Sequence, residues 1–114
     1  MAGETALLGA LAPYLHQARR AGALALGYRA VKQALAAGRC ALLLLARDAG
    51  ASLRRLPRGT TPLVELADRR ALGAWAGRSE LAILGVTDPG LAAGMLARIA
   101  AHGEAAAPAG RAGA

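Results

Sequence analysis

In the stretch Gly27 to Gly38, GYRAVKQALAAG, three side chains carrying N–H donors recur at helical spacing. At about 100° per residue, Arg29, Lys32 and Gln33 fall within roughly 100° of one another, opposite Val31, Ala34 and Leu35. The helix these residues predict begins on one glycine and stops on another. Its first backbone N–H groups and the positive end of its dipole face outward. A phosphate placed there would meet backbone donors and two cationic side chains together. A second basic segment is Asp68-Arg69-Arg70, where Asp68 reads as a helix N-cap and both arginines stand in the first turn. Each segment has a plain alternative, a solvated helix face for the first and an ordinary capping turn for the second. Arg54, Arg55 and Arg58 form a third cluster, which reads as surface.

Other residues with chemical potential do not assemble into a catalytic pattern. There is no phosphate-binding glycine loop with lysine, no nucleophile elbow and no His/Asp/Glu set at useful spacing, so no enzyme is expected. Asp48 follows a predicted strand but has no visible partner, and Asp88 is better explained as a helix cap. Cys40 is the only cysteine, which excludes an internal disulfide, and no Cys/His cluster has metal-ligand spacing. No cofactor is expected. Cys40 reads as a small apolar packing residue, His16 as a surface or boundary residue, and Trp75 as core packing.

Composition narrows the partner. Formal net charge is +7, which favours a polyanion, either nucleic acid or an acidic membrane face. Lys32 is the only lysine, and an Arg/Ala/Gly bias also follows from GC-rich coding, which discounts part of this surplus. Cys40 to Ala46, the longest strictly apolar run, is far too short for a membrane span. Glu4 and the lack of a basic N-terminal region argue against a signal peptide, so the expected compartment is the cytoplasm. With no Phe, the core must be built from Leu, Val, Ile and Ala.

The elements that must position the basic segments follow from periodicity and punctuation. A helix is predicted over Thr5 to Ala21, with Leu8, Leu11 and Leu15 in one stripe and a bend or break at Pro13. Leu24 to Leu26 is a short strand. Arg39 to Ala46 is a strand buried on both faces. Ala51 to Leu56 is a short helix stopped by Pro57, and Pro62 to Leu66 a third strand. Asp68 caps a helix over Arg69 to Ala76, with Gly77 as its stop. Glu80 to Val86 is a fourth strand, and Thr87-Asp88-Pro89 starts a last helix striped by Leu91, Met95 and Ile99. Alternation of this kind implies an α/β sandwich, a central sheet between helical layers, with ligands along one sheet edge. Residues 1–102 read as one domain and residues 103–114 as a disordered Ala/Gly/Pro tail.

With these residues placed, the chain resembles the kink-turn RNA-binding ribosomal protein family, the L-seven-Ae type, and most closely its small bacterial members. The likeness spans roughly Leu8 to Ala97. It rests on Arg20-Ala21-Gly22 before Gly27, on the Gly27-to-Gly38 unit, and on the apolar strand ending in Arg47-Asp48-Ala49. It continues through Pro62-Leu63, Asp68-Arg69-Arg70-Ala71-Leu72-Gly73-Ala74-Trp75-Ala76-Gly77 and Thr87-Asp88-Pro89-Gly90-Leu91-Ala92.

The resemblance implies a four-stranded mixed sheet within a three-layer α/β/α sandwich. It implies RNA gripped at Gly27, Tyr28, Arg29, Ala30 and Gln33 and at Leu66, Ala67, Asp68, Arg69, Arg70 and Ala71. Archaeal and eukaryotic members carry Asn and Glu where this chain has Arg29 and Ala30, and Lys where it has Gln33. The Asn/Glu pair reads guanine edges, whereas Ala30 has no hydrogen-bonding side chain. Base-edge contacts carry specificity and phosphate contacts carry position, so general RNA affinity is expected to outlast kink-turn selectivity.

The expectation is therefore a monomeric domain that binds structured RNA and has no small-molecule substrate. Arg29, Lys32, Arg69 and Arg70 would hold phosphates, and Leu66 and Ala67 would cover an unstacked base. Tyr28 is the better stacking candidate of the aromatics. The alternative is a protein-interaction or regulatory module on the same fold, with RNA specificity lost.

Overall fold

The computed structural model describes residues 2–102, with side chains from Ala6 onward. The tail expected over 103–114 lies outside the described residues. Among the described residues, nine elements follow in order: α1 (Ala2–Arg20), β1 (Leu24–Leu26), α2 (Tyr28–Ala36), β2 (Leu42–Leu45), α3 (Ala51–Arg54), β3 (Leu63–Glu65), α4 (Arg69–Ala76), β4 (Ile83–Val86) and α5 (Pro89–Ala101). The four strands form one mixed sheet in the order β1-β4-β2-β3. β4 runs antiparallel to both β1 and β2, and β3 runs parallel to β2.

All four residues of β2 are buried. Successive side chains of a strand point to opposite faces, and the core divides accordingly. Leu42 and Leu44 join Leu7, Leu11 and Leu15 of α1, Leu72 of α4 and Met95 and Ile99 of α5. Leu43 and Leu45 join Val31 and Ala34 of α2 and Leu56 just beyond α3. Helices α1, α4 and α5 thus cover one face, and α2 and α3 cover the other. This is the three-layer α/β/α sandwich with a mixed four-stranded sheet.

Two local expectations need correction. Of the bend or break expected at Pro13, the break does not occur, because α1 continues through it. A proline removes one helical bond and crowds the carbonyl four residues back. Here that residue is Gly9, which is exposed and open to water, while Leu7, Leu11 and Leu15 hold the helix to the core on its other side. β2 begins at Leu42 rather than Arg39 because Arg39 closes α2. The Arg39 amide donates to Ala34 O at 2.9 Å and the Gly38 amide to Leu35 O at 3.0 Å, with Gly38 at φ 70°. This paired termination needs a left-handed residue, and glycine adopts that conformation without strain.

Candidate nucleic-acid interface

The two basic segments lie on the same edge of the sheet. The Gly27 amide donates to Ile83 O at 3.0 Å, Ala46 N to Ala82 O at 2.9 Å, and Arg47 N to Ala67 O at 2.9 Å. These bonds set the ends of β1, β4, β2 and β3 side by side in sheet order. With strands about 4.8 Å apart, Gly27 and Ala67 are separated by roughly 14 Å along that edge.

At one end of this rim, α2 starts on Gly27 (φ 89°, ψ 169°), with no side-chain cap and no acid in its first turn. Its leading N–H groups are therefore open to an anion. Val31 and Ala34 are buried, while Arg29, Lys32 and Gln33 are exposed. Ala30 is half-buried against the α2–α3 side of the core. Tyr28 is 48% exposed, the one large exposed hydrophobic side chain among the described residues. Lys32 Nζ stands 5.7 Å from its ring centroid, within cation–π range.

At the other end, α4 starts differently. Asp68 Oδ1 accepts the Ala71 amide at 2.8 Å, and Asp48 Oδ1 accepts the Arg69 amide at 2.9 Å. Two carboxylates thus already occupy the positive end of this helix. Arg69 Nε lies 3.5 Å from both Asp48 Oδ2 and Glu80 Oε1. Asp48, which had no visible partner in the sequence, is a partner of Arg69. Arg69, expected to hold a phosphate, has its charge shared between two acids. Arg70 is exposed and makes no ion pair with the described residues.

Leu66 and Ala67 also differ from expectation. Leu66 is 0% exposed and Ala67 8%, and both belong to the core on the α1–α4–α5 side. Leu66 has no side-chain surface with which to cover a base. Ala67 takes φ 62°, the only non-glycine with positive φ among the described residues. That conformation costs an alanine about 1–2 kcal/mol, offset here by the Arg47–Ala67 bond and by burial. Ala71 is half-buried against the same core.

The structure adds a residue that the sequence did not single out. Arg78 Nη1 lies 3.9 Å from where a Cβ on Gly27 would stand. A second guanidinium, and a third cation after Arg29 and Lys32, therefore reaches the start of α2 from the α4–β4 connection. This approach depends on Gly73, where an added Cβ would sit 2.7 Å from the Glu80 backbone and 2.8 Å from Arg78 O. Only a glycine lets the connection pass so close to α4. Gly77-Arg78 after a helix stop is the sequence signal, but nothing in it points toward Gly27. Trp75, expected in the core, is half-buried and stacked on the exposed His16, with ring centroids 5.7 Å apart at 16°.

No helix among the described residues is long and apolar enough to cross a membrane. No family model and no curated protein matches the chain. Solved structures do. A protein of unknown function from Bacillus halodurans is 28% identical, with a TM-score of 0.69, over 79% of this chain and 96% of that one. The Giardia lamblia 15.5kD RNA binding protein shares the fold at 20% identity, with a TM-score of 0.61, over 83% of this chain and 88% of that one.

Proposed function

We propose that this protein binds structured RNA along the sheet edge that carries Gly27, acting as a binding protein rather than an enzyme. The observation that carries the reading is the open, acid-free start of α2, which Arg29, Lys32 and Arg78 surround with positive charge. Phosphate oxygens suit that arrangement, because backbone donors and guanidinium groups can bind them together. Tyr28 supplies an exposed ring beside it for an unstacked base. Arg70 extends the footprint toward α4. The RNA-binding neighbour from Giardia has the same fold and gives the reading a precedent.

Recognition in this reading is mostly of the backbone. Arg29, Ala30 and Gln33 offer a guanidinium, a methyl and an amide where kink-turn readers of the family it resembles place Asn, Glu and Lys. A ribosomal or kink-turn-like RNA fits as target through its compact backbone, with weak selection by base identity.

The test is fluorescence anisotropy with a kink-turn RNA and a regular duplex of equal length, over a salt series. With about four phosphates neutralised, the slope of log affinity against log salt is expected near −3. Both RNAs should bind, the kink-turn less than about tenfold tighter. Affinity that ignores salt, or no binding by either RNA at low salt, would end the reading. Partners captured from a lysate that survive nuclease and an Arg29→Glu change would favour a protein-interaction module instead.

A further inference from the structure

A cleft of about 630 Å³ opens on the α2–α3 side of the sheet, lined by Lys32, Leu35 and Ala36 of α2, by Cys40, and by the segment from Leu56 to Thr61. Apart from Lys32, which borders both, its lining lies toward the opposite ends of β2 and β3 from the proposed RNA rim. Cys40 and Thr61 precede β2 and β3, whereas Ala46 and Ala67 follow them. Six residue steps along each chain segment separate those positions, roughly 20 Å at extended spacing.

The lining divides by chemistry. Leu35, Ala36, Leu56 and Pro57 are apolar, and Arg58 and Lys32 are the charged groups. No Asp or Glu lines the cleft. The turn around Arg58 is closed on itself, since Arg58 Nε donates to Thr61 O at 3.2 Å and the Thr61 amide donates to Arg58 O at 3.0 Å. Half-buried Arg58 is therefore anchored through Nε, and its terminal nitrogens make no bond with the described residues. Thr61 Oγ1 donates to Cys40 O at 3.3 Å, which ties this turn to the chain leading into β2. A fixed guanidinium loses little freedom when it takes an anion.

We propose that this cleft binds a small organic anion with an apolar or aromatic body. Its phosphate, sulfonate or carboxylate head meets Arg58, with Lys32 adding charge. Its body lies against Leu35, Ala36, Leu56 and Pro57. The volume is that of small-molecule sites in general. Lys32 borders both the cleft and the RNA rim, but Arg58 is no part of that rim, so a test at Arg58 leaves the RNA reading untouched and the two readings fail separately.

The probe is 8-anilinonaphthalene-1-sulfonate, which joins a sulfonate to aromatic rings and fluoresces when sheltered from water. Saturable one-to-one binding to the full chain is expected, weakened about tenfold by Arg58→Ala and less than about threefold by Arg58→Lys, with folding checked by circular dichroism. The uncharged N-phenyl-1-naphthylamine should bind at least about tenfold more weakly. The probe should also slow alkylation of Cys40 by N-ethylmaleimide, an independent report that the cleft is filled. Non-saturable binding, equal binding of the uncharged analogue, indifference to Arg58→Ala, or unprotected Cys40 would each overturn the proposal.

Discussion

Asp48 meets Arg69 twice: its Oδ1 accepts the Arg69 amide at 2.9 Å, and its Oδ2 stands 3.5 Å from Arg69 Nε. One carboxylate thus caps the start of α4 and offsets the charge of the arginine that opens it. Glu80 Oε1 stands 3.5 Å from the same Nε. With Asp68, this cluster places the carboxylates at the α4 end of the rim and leaves the α2 end free of them, which divides the rim into an open half at α2 and a closed half at α4.

Asp48→Asn is expected to open that second half. The amide oxygen still accepts from Arg69 N–H, but the negative charge is gone. RNA affinity should rise about threefold, and the salt slope should steepen by up to about 1 as Arg69 gains a phosphate. Stability should fall by less than about 1 kcal/mol, because both side chains are half in solvent. Anisotropy titrations over a salt series, alongside urea melts, measure both. Weaker RNA binding by a stably folded Asp48→Asn variant would mean that the ion pair orients Arg69 for RNA rather than screening it.

Gly73 and Gly9 make a matched pair. A methyl group at Gly73 would press on the Glu80 backbone at 2.7 Å, while at Gly9 it meets nothing within 4 Å. Gly73→Ala is expected to cost about 1–3 kcal/mol, since backbone rather than a flexible side chain must move. Gly9→Ala, at an exposed position inside α1, should stabilise by about 0.5–1 kcal/mol. Urea denaturation of both variants is the check. Because the connection that this methyl would displace carries Arg78, Gly73→Ala should also weaken RNA binding, and Gly9→Ala should not.

Much of this architecture is legible in the sequence, and the rest is hidden for identifiable reasons. The Leu run of β2, the Asp68 and Asp88 caps and the glycine stops are local signals, and each marks an element that is present. Arg39 misleads because a left-handed glycine before it turns the chain back onto α2. The strand order β1-β4-β2-β3 pairs segments far apart in the chain, and no local pattern encodes that pairing. The open start of α2 follows from Gly27 itself. The Asp48–Arg69–Glu80 cluster and the approach of Arg78 to Gly27 do not, because each joins residues from different loops. Leu66 misleads in another way. It ends an apolar stretch where a surface loop begins, yet its amide bonds Leu45 O and its side chain stays in the core.

Burial raises the Cys40 thiol above its ordinary range. Alkylation of the folded protein should therefore reach half its maximal rate at higher pH than alkylation of the unfolded chain. The sign for stability follows by linkage. As pH rises, the unfolded chain loses this proton first, so unfolding releases a proton and stability falls between the ordinary thiol value and the raised one. Cys40→Ala should remove that part of the alkaline slope. Denaturation at several alkaline pH values, compared between the two proteins, measures it. Identical slopes would show that the thiol titrates alike in both states.

Arg29 and Arg78 reach the start of α2 from different elements, one on its first turn and one from the α4–β4 connection. If both guanidinium groups serve the same phosphate, removing either leaves the other only partly useful. Arg29→Ser and Arg78→Ser should each flatten the salt slope by less than about 1, since the other guanidinium still meets the shared phosphate. The double variant should lose less affinity than the two single losses combined, with a coupling of at least about 0.5 kcal/mol. The losses should be alike for a kink-turn and a plain duplex, since phosphate contacts carry no sequence information. Anisotropy on the four proteins and two RNAs gives all of these values. An Arg78→Ser variant that binds both RNAs like the parent would remove Arg78 from the interface and leave α2 to hold the backbone with Arg29 and Lys32.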